Sequence, residues 1–542
     1  MIGRRSVLGG GGAALAAAAG GLALPSLALP SLTLPSLALP SLAAPAKVLK
    51  FVPRVNLSSI DPIWTTEITA SVHGYLVWDT LYGIDTGLIA RPQMVAGHEV
   101  GSDGLSWRLT LRDGLFWHDG PPVRSADCVA SIKRWAKRDG FGQKLMSLTD
   151  EIAVIDDKRF EFRLSKPFPL LPFALGANGC FIMPERIAAT DAFKQIAEVV
   201  GSGPFMFLPN EWVSGSSVAY SRFEKYLPRD EPGSYWAGGK VAHFDRIEWR
   251  IIPDAATTAA ALQRGEVDWA EAPLIDLLPK LRQSPDLTVE VLDPLGALGM
   301  IRMNHTLPPF DNPKIRQAVM HAASQDEFVQ AVVGDERSLG RTGAGFFTIG
   351  SPYASAAGLE AIMGPRDLDL AKKLVADNYG GEKVVVMSPS DIPQFETMAL
   401  LTADLYKKLS LNVDYQSMDA GTQTARRASR NPIDKGGWST FCTAYLGLQM
   451  SNPGSSYPLR GNGDKAWFGW PNDPRMEALR DRWFEAPDLA AQQKITTEMQ
   501  LVAFEDVPLV PVGQWQVPTA HRKDLTDFVK CGFMLFWGVR RA

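Results

Sequence analysis

The chain has 542 residues, of which 21% are charged, with a formal charge of −4 and a mean hydropathy of −0.05. Its length exceeds one ordinary domain and predicts two or three, and the balanced composition fits a soluble globular protein rather than a membrane-embedded or disordered one. There is no basic footprint for nucleic acid and no polybasic patch for a membrane surface, so neither is an expected partner.

At the start, Arg4-Arg5-Ser6-Val7-Leu8 precedes a Gly/Ala-rich apolar stretch that runs to Leu24, which reads as a secretory leader of twin-arginine character. Gly3 and Val7 depart from the usual twin-arginine pattern, so a Sec leader is the alternative. Pro25 interrupts the stretch, which argues against a transmembrane anchor, and the absence of a following cysteine argues against a lipid anchor. Leu24 to Ala43 then reads LPSLA, LPSLT, LPSLA, LPSLA, a low-complexity extension in which proline at every fifth residue forbids a continuous helix. Ala44-Pro45-Ala46 supplies an A-x-A cleavage site, so the mature protein is expected to begin near Lys47.

Residues 48–52 read as a strand and 72–81 as a helix carrying Tyr75 and Trp78. In the next segment Trp107, Leu109 and Leu111 alternate with Arg108, Thr110 and Arg112, the period of a half-buried strand. Asp113-Gly114 and Asp119-Gly120 mark two turns around Leu115, Phe116 and Trp117, with His118 as a turn histidine. Pro121-Pro122 stops any ladder and Ser125 is the expected cap of a helix over 126–138, with Ala126, Val129, Ile132 and Ala136 on one face. A turn at Asp156-Asp157 leads into an alternating strand over 160–164. Gly201-Ser202-Gly203-Pro204 reads either as a plain turn or as a loop at the mouth of a cleft. A helix over 255–262 ends at Arg264-Gly265, and an extended run starts at Val267. Further on, helices are expected at 312–323, 367–377, 397–408 and 488–504, with strands at 383–387 and 412–416, an order that suggests a sheet flanked by helices.

Motifs of catalysis are missing. No G-x-S-x-G, H-E-x-x-H or C-x-x-C occurs, and the Gly233 to Lys240 stretch fails as a phosphate loop in both spacing and the Val241 that follows. Cys128, Cys180, Cys442 and Cys531 lie far apart, which leaves their pairing open and does not suit metal binding; Cys128 is expected as a buried free thiol. Neither an enzyme nor a cofactor is expected. Most of the 15 Trp and 25 Phe should be core, with some free to stack on a ligand.

The segment from Trp107 to Trp135 closely resembles the signature of the family 5 extracellular solute-binding proteins, the dipeptide- and oligopeptide-binding components of ABC importers. Other blocks follow in the family's order: Ser59-Ile60-Asp61-Pro62, Ala90-Arg91-Pro92, Gly201 to Phe205, Arg264 to Asp268, Asn304, Pro308 to Phe310, Pro313 to Ala318, Gly437-Trp438 and Val507-Pro508-Leu509. The resemblance implies an α/β, two-lobed periplasmic-binding-protein fold (class II, cluster C type) with an extra inserted domain. It divides the chain into an export signal at 1–46, the start of lobe I at 47–83, the inserted domain at 84–200, lobe I continued at 201–295, lobe II at 296–515 and a closing lobe I segment at 516–542. The implied function is a monomeric periplasmic receptor that captures a peptide-like or other small organic solute between two lobes and delivers it to an inner-membrane ABC permease. A secreted hydrolase on the same scaffold, or a periplasmic chaperone or sensor subunit, is the alternative.

In the family, the loop after Gly-Trp in the second lobe carries an aspartate that grips a peptide's amine. Phe441 falls at about that position here, which makes a simple peptide with a free N-terminus doubtful. Trp438, Phe441 and Tyr445 offer stacking surfaces instead, with hydroxyls from Ser439, Thr440 and Thr443, and Trp64 is expected across the cleft from Trp438. Arg426 and Lys435 fall near places where peptide-binding relatives hold carboxylates, alternatively as solvated surface charges. The expected ligand-binding set is therefore Trp438, Ser439, Thr440, Phe441, Tyr445, Trp64 and Arg426, suited to a sugar derivative, an opine, an aromatic compound or a blocked peptide. No metal site is expected.

Overall fold

The computed structural model describes residues 47–542, apart from 178 and 365. The leader, the LPSLA repeat and the cleavage site lie outside the described residues.

Strand Val48–Val52 sits inside a seven-stranded sheet whose order is Leu287–Glu290, Thr519–Arg522, Trp269–Ala270, Val48–Val52, Arg246–Arg250, Ser217–Arg222 and Phe205–Phe207. It pairs in parallel with both of its neighbours and so is covered on each edge. The aromatic residues of the chain's end complete this lobe. Phe51 meets Trp249, Trp269 and Phe536 at ring separations of 5.7, 4.9 and 5.0 Å, which places apolar area from the last residues of the chain directly on its first strand.

The alternation at Trp107 builds the middle of a four-stranded antiparallel sheet, ordered Val95–Val100, Ser106–Leu111, Arg159–Leu164 and Thr149–Val154. Trp107 lies opposite Phe162 and Leu109 opposite Phe160, all four buried, while Arg108 on the other face is exposed. Helix Ser125–Trp135 packs on this sheet, but its cap is Arg124 rather than Ser125. The Asp127 carboxylate accepts the Arg124 N–H at 2.8 Å, and the Ser125 hydroxyl donates to the Asp156 carbonyl, fastening the first turn to the neighbouring hairpin. His118 accepts from the Gly201 N–H and donates to the Gly203 carbonyl at 3.0 Å, so it ties the inserted domain to the segment returning to lobe I. Burial pulls its pKa down to about 4 and keeps the ring neutral. A Cβ at Gly201 would fall 1.8 Å from the Val77 carbonyl, so glycine there serves a close crossing of two chain segments.

The earlier helix spans Ile68–Val77 and stops sooner than its apolar pattern predicts, because Asp79 turns inward to meet Lys240 at 2.7 Å. Asp61 makes a second buried pair with Arg134 at 2.7 Å and also accepts the amides of Ile63, Trp64 and Ile196. One carboxylate thus holds the loop before Trp64 against the inserted domain.

The chain crosses into the second lobe at 291–296 and returns at 516–518. This lobe is a six-stranded sheet ordered Gly340–Arg341, Val510–Trp515, Ala297–Met303, Thr440–Leu446, Lys383–Pro389 and Asn412–Met418, with helices Pro313–Ala322, Leu368–Asn378, Pro393–Lys408 and Leu489–Asp506 around it. Asn312, Asp367 and Asp488 cap three of these helices, and Pro393 starts the other a turn ahead of the predicted boundary, at a position where its fixed φ favours initiation. The two crossings touch: Gln514 Nε2 donates to the Leu295 carbonyl at 2.7 Å, and a Cβ at Gly296 would lie 2.2 Å from the Trp515 carbonyl. All four cysteines are buried and unpaired.

Removing one partner of a buried ion pair strands the other, at about 3–5 kcal/mol. Asp61→Ala should therefore lower the guanidinium midpoint strongly, because Arg134 and three amides lose their acceptor together. An unchanged midpoint would show that this pair does not hold the inserted domain.

Candidate ligand-binding cleft

A cavity of about 1400 Å³ opens between the lobes, with walls from both and from the inserted domain. Lobe I contributes Arg54, Trp64 and Glu67, the inserted domain Arg138 and Asp139, and lobe II Arg427, Tyr445, Trp467 and Phe468.

The lobe II wall grows from strand Thr440–Leu446. Successive side chains alternate between faces, so Phe441, Thr443 and Tyr445 share one side and Thr440 and Cys442 the other. Thr440 and Cys442 turn to helix Pro393–Lys408, where Cys442 Sγ meets Thr402 Oγ1 at 3.2 Å. Thr440 Oγ1 also donates to the Arg302 carbonyl at 2.8 Å. Thr443 and Tyr445 reach the cavity. Phe441 does not, because Trp467 lies across it at 5.6 Å and Trp438 closes its other side at 5.2 Å.

Among the predicted set, the structure brings Trp64 and Tyr445 to the same cavity. Trp438, Ser439, Thr440, Phe441 and Arg426 lie behind its wall. Trp438 is fully buried with Val385, Met387, Phe441 and Trp470. Ser439 extends the sheet, its hydroxyl accepting the Val385 N–H at 3.0 Å. Arg426 donates to the carbonyls of Gly436 and Gly437 and to Gln416, fastening the end of helix Ala420–Arg426 to the turn before Trp438. The aromatic surface that shares the cavity with Trp64 is Trp467, Phe468 and Trp470, not Trp438.

Two features of this wall went unread in the sequence. The first is the Trp467-Phe468-Gly469-Trp470 cluster itself, whose density of aromatic residues was the available signal. It is held by Arg302, a fully buried guanidinium on the central strand Ala297–Met303. Arg302 has no carboxylate partner among the described residues; it donates to the carbonyls of Pro458 (2.9 Å), Pro508 (2.8 Å), Trp467 (3.2 Å) and Phe468, and its guanidinium lies 5.0 Å from the Trp467 ring. Burial pulls its pKa down to about 9. Gly469 permits this approach, since a Cβ there would sit 2.8 Å from Arg302 Nε.

The second is Arg427, the residue that caps the end of the helix, whose side chain leaves the helix on a different face from that of Arg426. Its guanidinium stands 5.3 Å from Phe441, 5.9 Å from Trp467 and 5.2 Å from Phe468. Burial lowers its pKa, partly offset by Tyr445 and by Glu67 from the opposite lobe. Burial pushes the Tyr445 hydroxyl up to about 12, so it is neutral at physiological pH. At the far end of the cavity, Tyr457 Oη donates to Asp139 at 2.8 Å and joins lobe II to the inserted domain. Among the described residues, no group of three or more His, Cys, Asp or Glu side chains could hold a metal ion.

An aromatic cavity walled by two α/β lobes that are joined by two touching crossings defines a binding protein that closes on a solute. The sequence profile of the bacterial extracellular solute-binding proteins, family 5 (middle region), matches residues 90–467, and the chain belongs to that family. It is 36% identical over 496 residues to the probable peptide ABC transporter periplasmic-binding protein y4tO of Sinorhizobium fredii, covering 90% of this chain and 92% of the other. It is 23% identical to the glutathione-binding protein GsiB of Pectobacterium atrosepticum, over 87% of this chain and 89% of that one. Two solved structures share the fold with TM-scores of 0.77: AgaA from Agrobacterium tumefaciens R10 in complex with agropinic acid (21% identical, 91% of this chain and 99% of that) and a dipeptide-binding protein from Pseudoalteromonas sp. SM9913 with Met-Leu (19% identical, 92% and 100%). The protein is a solute-binding receptor of an ABC importer.

The placement of Trp438 separates stability from binding. Trp438→Ala should cost roughly 3–5 kcal/mol, as for other buried Trp-to-Ala changes, and should appear as a lowered melting temperature in calorimetry. Trp64→Ala should act mainly on ligand affinity in titration. A Trp438→Ala protein that melts like the parent would contradict its place in the core.

Proposed function

We propose that the captured solute is peptide-like, with apolar or aromatic side groups, and that it is handed to the inner-membrane permease of the same importer. The observation that carries this reading is the cavity of about 1400 Å³ with Trp64 on one lobe and Tyr445, Trp467 and Phe468 on the other. It exceeds the roughly 300–1,000 Å³ of ordinary small-molecule pockets. Planar aromatic walls bury apolar side groups without fixing their sequence, which suits a cargo of variable composition. The relative y4tO, described as a peptide transporter component, supports the same class. Ligand that touches both lobes favours the closed form over the open one, and that difference presents a distinct surface to the permease.

The leader belongs to this reading. We propose export through the twin-arginine route on Arg4-Arg5, with cleavage after Ala46. Arg4→Lys together with Arg5→Lys should leave the precursor in the cytoplasm, and N-terminal sequencing of the exported protein should begin at Lys47. Normal export of the double variant would point to the Sec route.

A thermal-shift screen of the exported protein tests the solute class. A ligand specific to the native state at 100 times its Kd adds about 2.7 kcal/mol. Met-Leu, glutathione, agropinic acid and a neutral disaccharide form the panel; one of the first two should raise the melting temperature, and a shift with agropinic acid alone would replace the peptide-like reading with an opine one. A shift with the disaccharide alone would replace the peptide-like reading with a sugar one.

A further inference from the structure

The fold leaves the hydroxyl of Tyr75, in the lobe I wall of the cleft, without a partner. Ile68, Ser71 and Tyr75 stand at i, i+3 and i+7 of helix Ile68–Val77 and all three line the cavity, so this face of the helix is turned to the ligand space. The Ser71 hydroxyl donates back to the Glu67 carbonyl at 3.3 Å, and Tyr457, another tyrosine of the cavity, gives its hydroxyl to Asp139. The Tyr75 hydroxyl makes no hydrogen bond among the described residues, although the residue is only 2% exposed. It is not sealed in the core either, so it opens on the cavity. A hydroxyl withdrawn from bulk water and left unpaired is unfavourable, and a ligand completes it only by presenting a polar atom at this point.

The ring that carries the hydroxyl is fixed. Phe181 and Phe533 meet it edge-on at 5.0 and 5.4 Å, and Trp236 stacks on it at 5.5 Å. A Cβ at the neighbouring Gly74 would fall 2.7 Å from the Phe181 ring, so Phe181 is pressed against the helix here. Phe181, Phe533 and Trp135 line the cavity together with Tyr75. Charge is kept away from this recess. Burial pushes the Tyr75 hydroxyl up, and the neighbour that adds to the effect is the buried Cys531 thiol rather than a carboxylate or a cation. Arg138 and Asp139, which the inserted domain brings to the cavity, are engaged elsewhere: Arg138 with the Trp64 carbonyl at 2.8 Å and the Phe193 ring, Asp139 with Tyr457. An ionic group finds no counter-charge beside Tyr75, whereas a neutral oxygen on a flat apolar body suits the ring faces and the hydroxyl together.

We propose that Tyr75 with Trp135, Phe181 and Phe533 forms a subsite for a hydroxyaryl side group, as on a tyrosine residue of the cargo, whose oxygen pairs with the Tyr75 hydroxyl. This assignment rests on the peptide-like reading of the same cleft. The Trp467 and Phe468 wall stays permissive, and only the Tyr75 recess discriminates by a single oxygen.

Calorimetric titration of the exported protein with two dipeptide pairs, Met-Tyr against Met-Phe and Tyr-Leu against Phe-Leu, tests it. In one of the pairs the tyrosine peptide should bind at least tenfold more tightly than its phenylalanine counterpart. In Tyr75→Phe, which keeps the ring and its packing, that ratio should fall to about one while the melting temperature of the free protein stays that of the parent. The ratio is internal to each variant and does not depend on how much of it folds. Equal binding within both pairs would mean that water alone completes the hydroxyl, and it overturns the subsite while leaving the peptide-like reading in place. A preference that survives Tyr75→Phe, or a lowered melting temperature of that variant, overturns it as well. If none of the four dipeptides binds the parent protein, the peptide-like reading fails and the assignment with it.

Discussion

The buried guanidinium of Arg302 is the constraint on which the binding wall depends. Taking a cation out of water costs several kcal/mol even after relaxation, and among the described residues no carboxylate repays it. The compensation is entirely backbone carbonyl and aromatic face: Pro458, Trp467, Phe468 and Pro508, with the Trp467 ring above. Those carbonyls come from two separate stretches of chain, one before the aromatic cluster and within it, the other just after helix Leu489–Asp506. Shifting the 458–470 segment would leave a charge in an apolar interior, so the segment has essentially one position available to it. The cluster then gives Phe441 its cover and Arg427 its seat. A rigid wall of this kind reduces the ordering that a ligand must impose when it binds.

Around that wall, the two lobes keep separate sheets and meet where the crossings touch at Gly296 and Trp515. The inserted domain is anchored to lobe I by Asp61 with Arg134 and by His118 with the Gly201 to Gly203 segment. It also reaches lobe II, where Tyr457 meets Asp139 and where Phe141 packs against Trp483 and Phe484. The signature segment that identifies the family is therefore mostly scaffold, although Trp135 at its end lines the cavity together with Arg138 and Asp139 of the turn that follows.

The fold was legible because its information is local. Alternation at Trp107 to Arg112, helices beginning at 312, 367 and 488, and the ordered motifs needed only neighbouring residues to be read. The binding wall is not local. The pattern of strand Thr440–Leu446 puts Phe441 and Tyr445 on one face, but whether a residue on that face reaches the cavity depends on residues 467–470, which cover Phe441 fully and Tyr445 only in part. The same distance effect separates Arg426 from Arg427. Adjacent in sequence and alike in chemistry, they diverge because Arg427 keeps helical dihedrals and successive helical side chains point about 100° apart, and only the first finds backbone carbonyls to bind. Trp64 lines the cavity, but the aromatic residues that share it are Trp467, Phe468 and Trp470 rather than Trp438, across from which it was expected.

The four cysteines carry a consequence of a different kind. Burial pushes the pKa of each thiol up, so none is poised as a thiolate, and none is paired. The native packing is reached without an oxidant, and no cross-link has to be made or reshuffled along the way. A receptor built like this can finish its fold in a reducing compartment and then work unchanged in an oxidising one, so its assembly is independent of the side of the membrane on which it takes place.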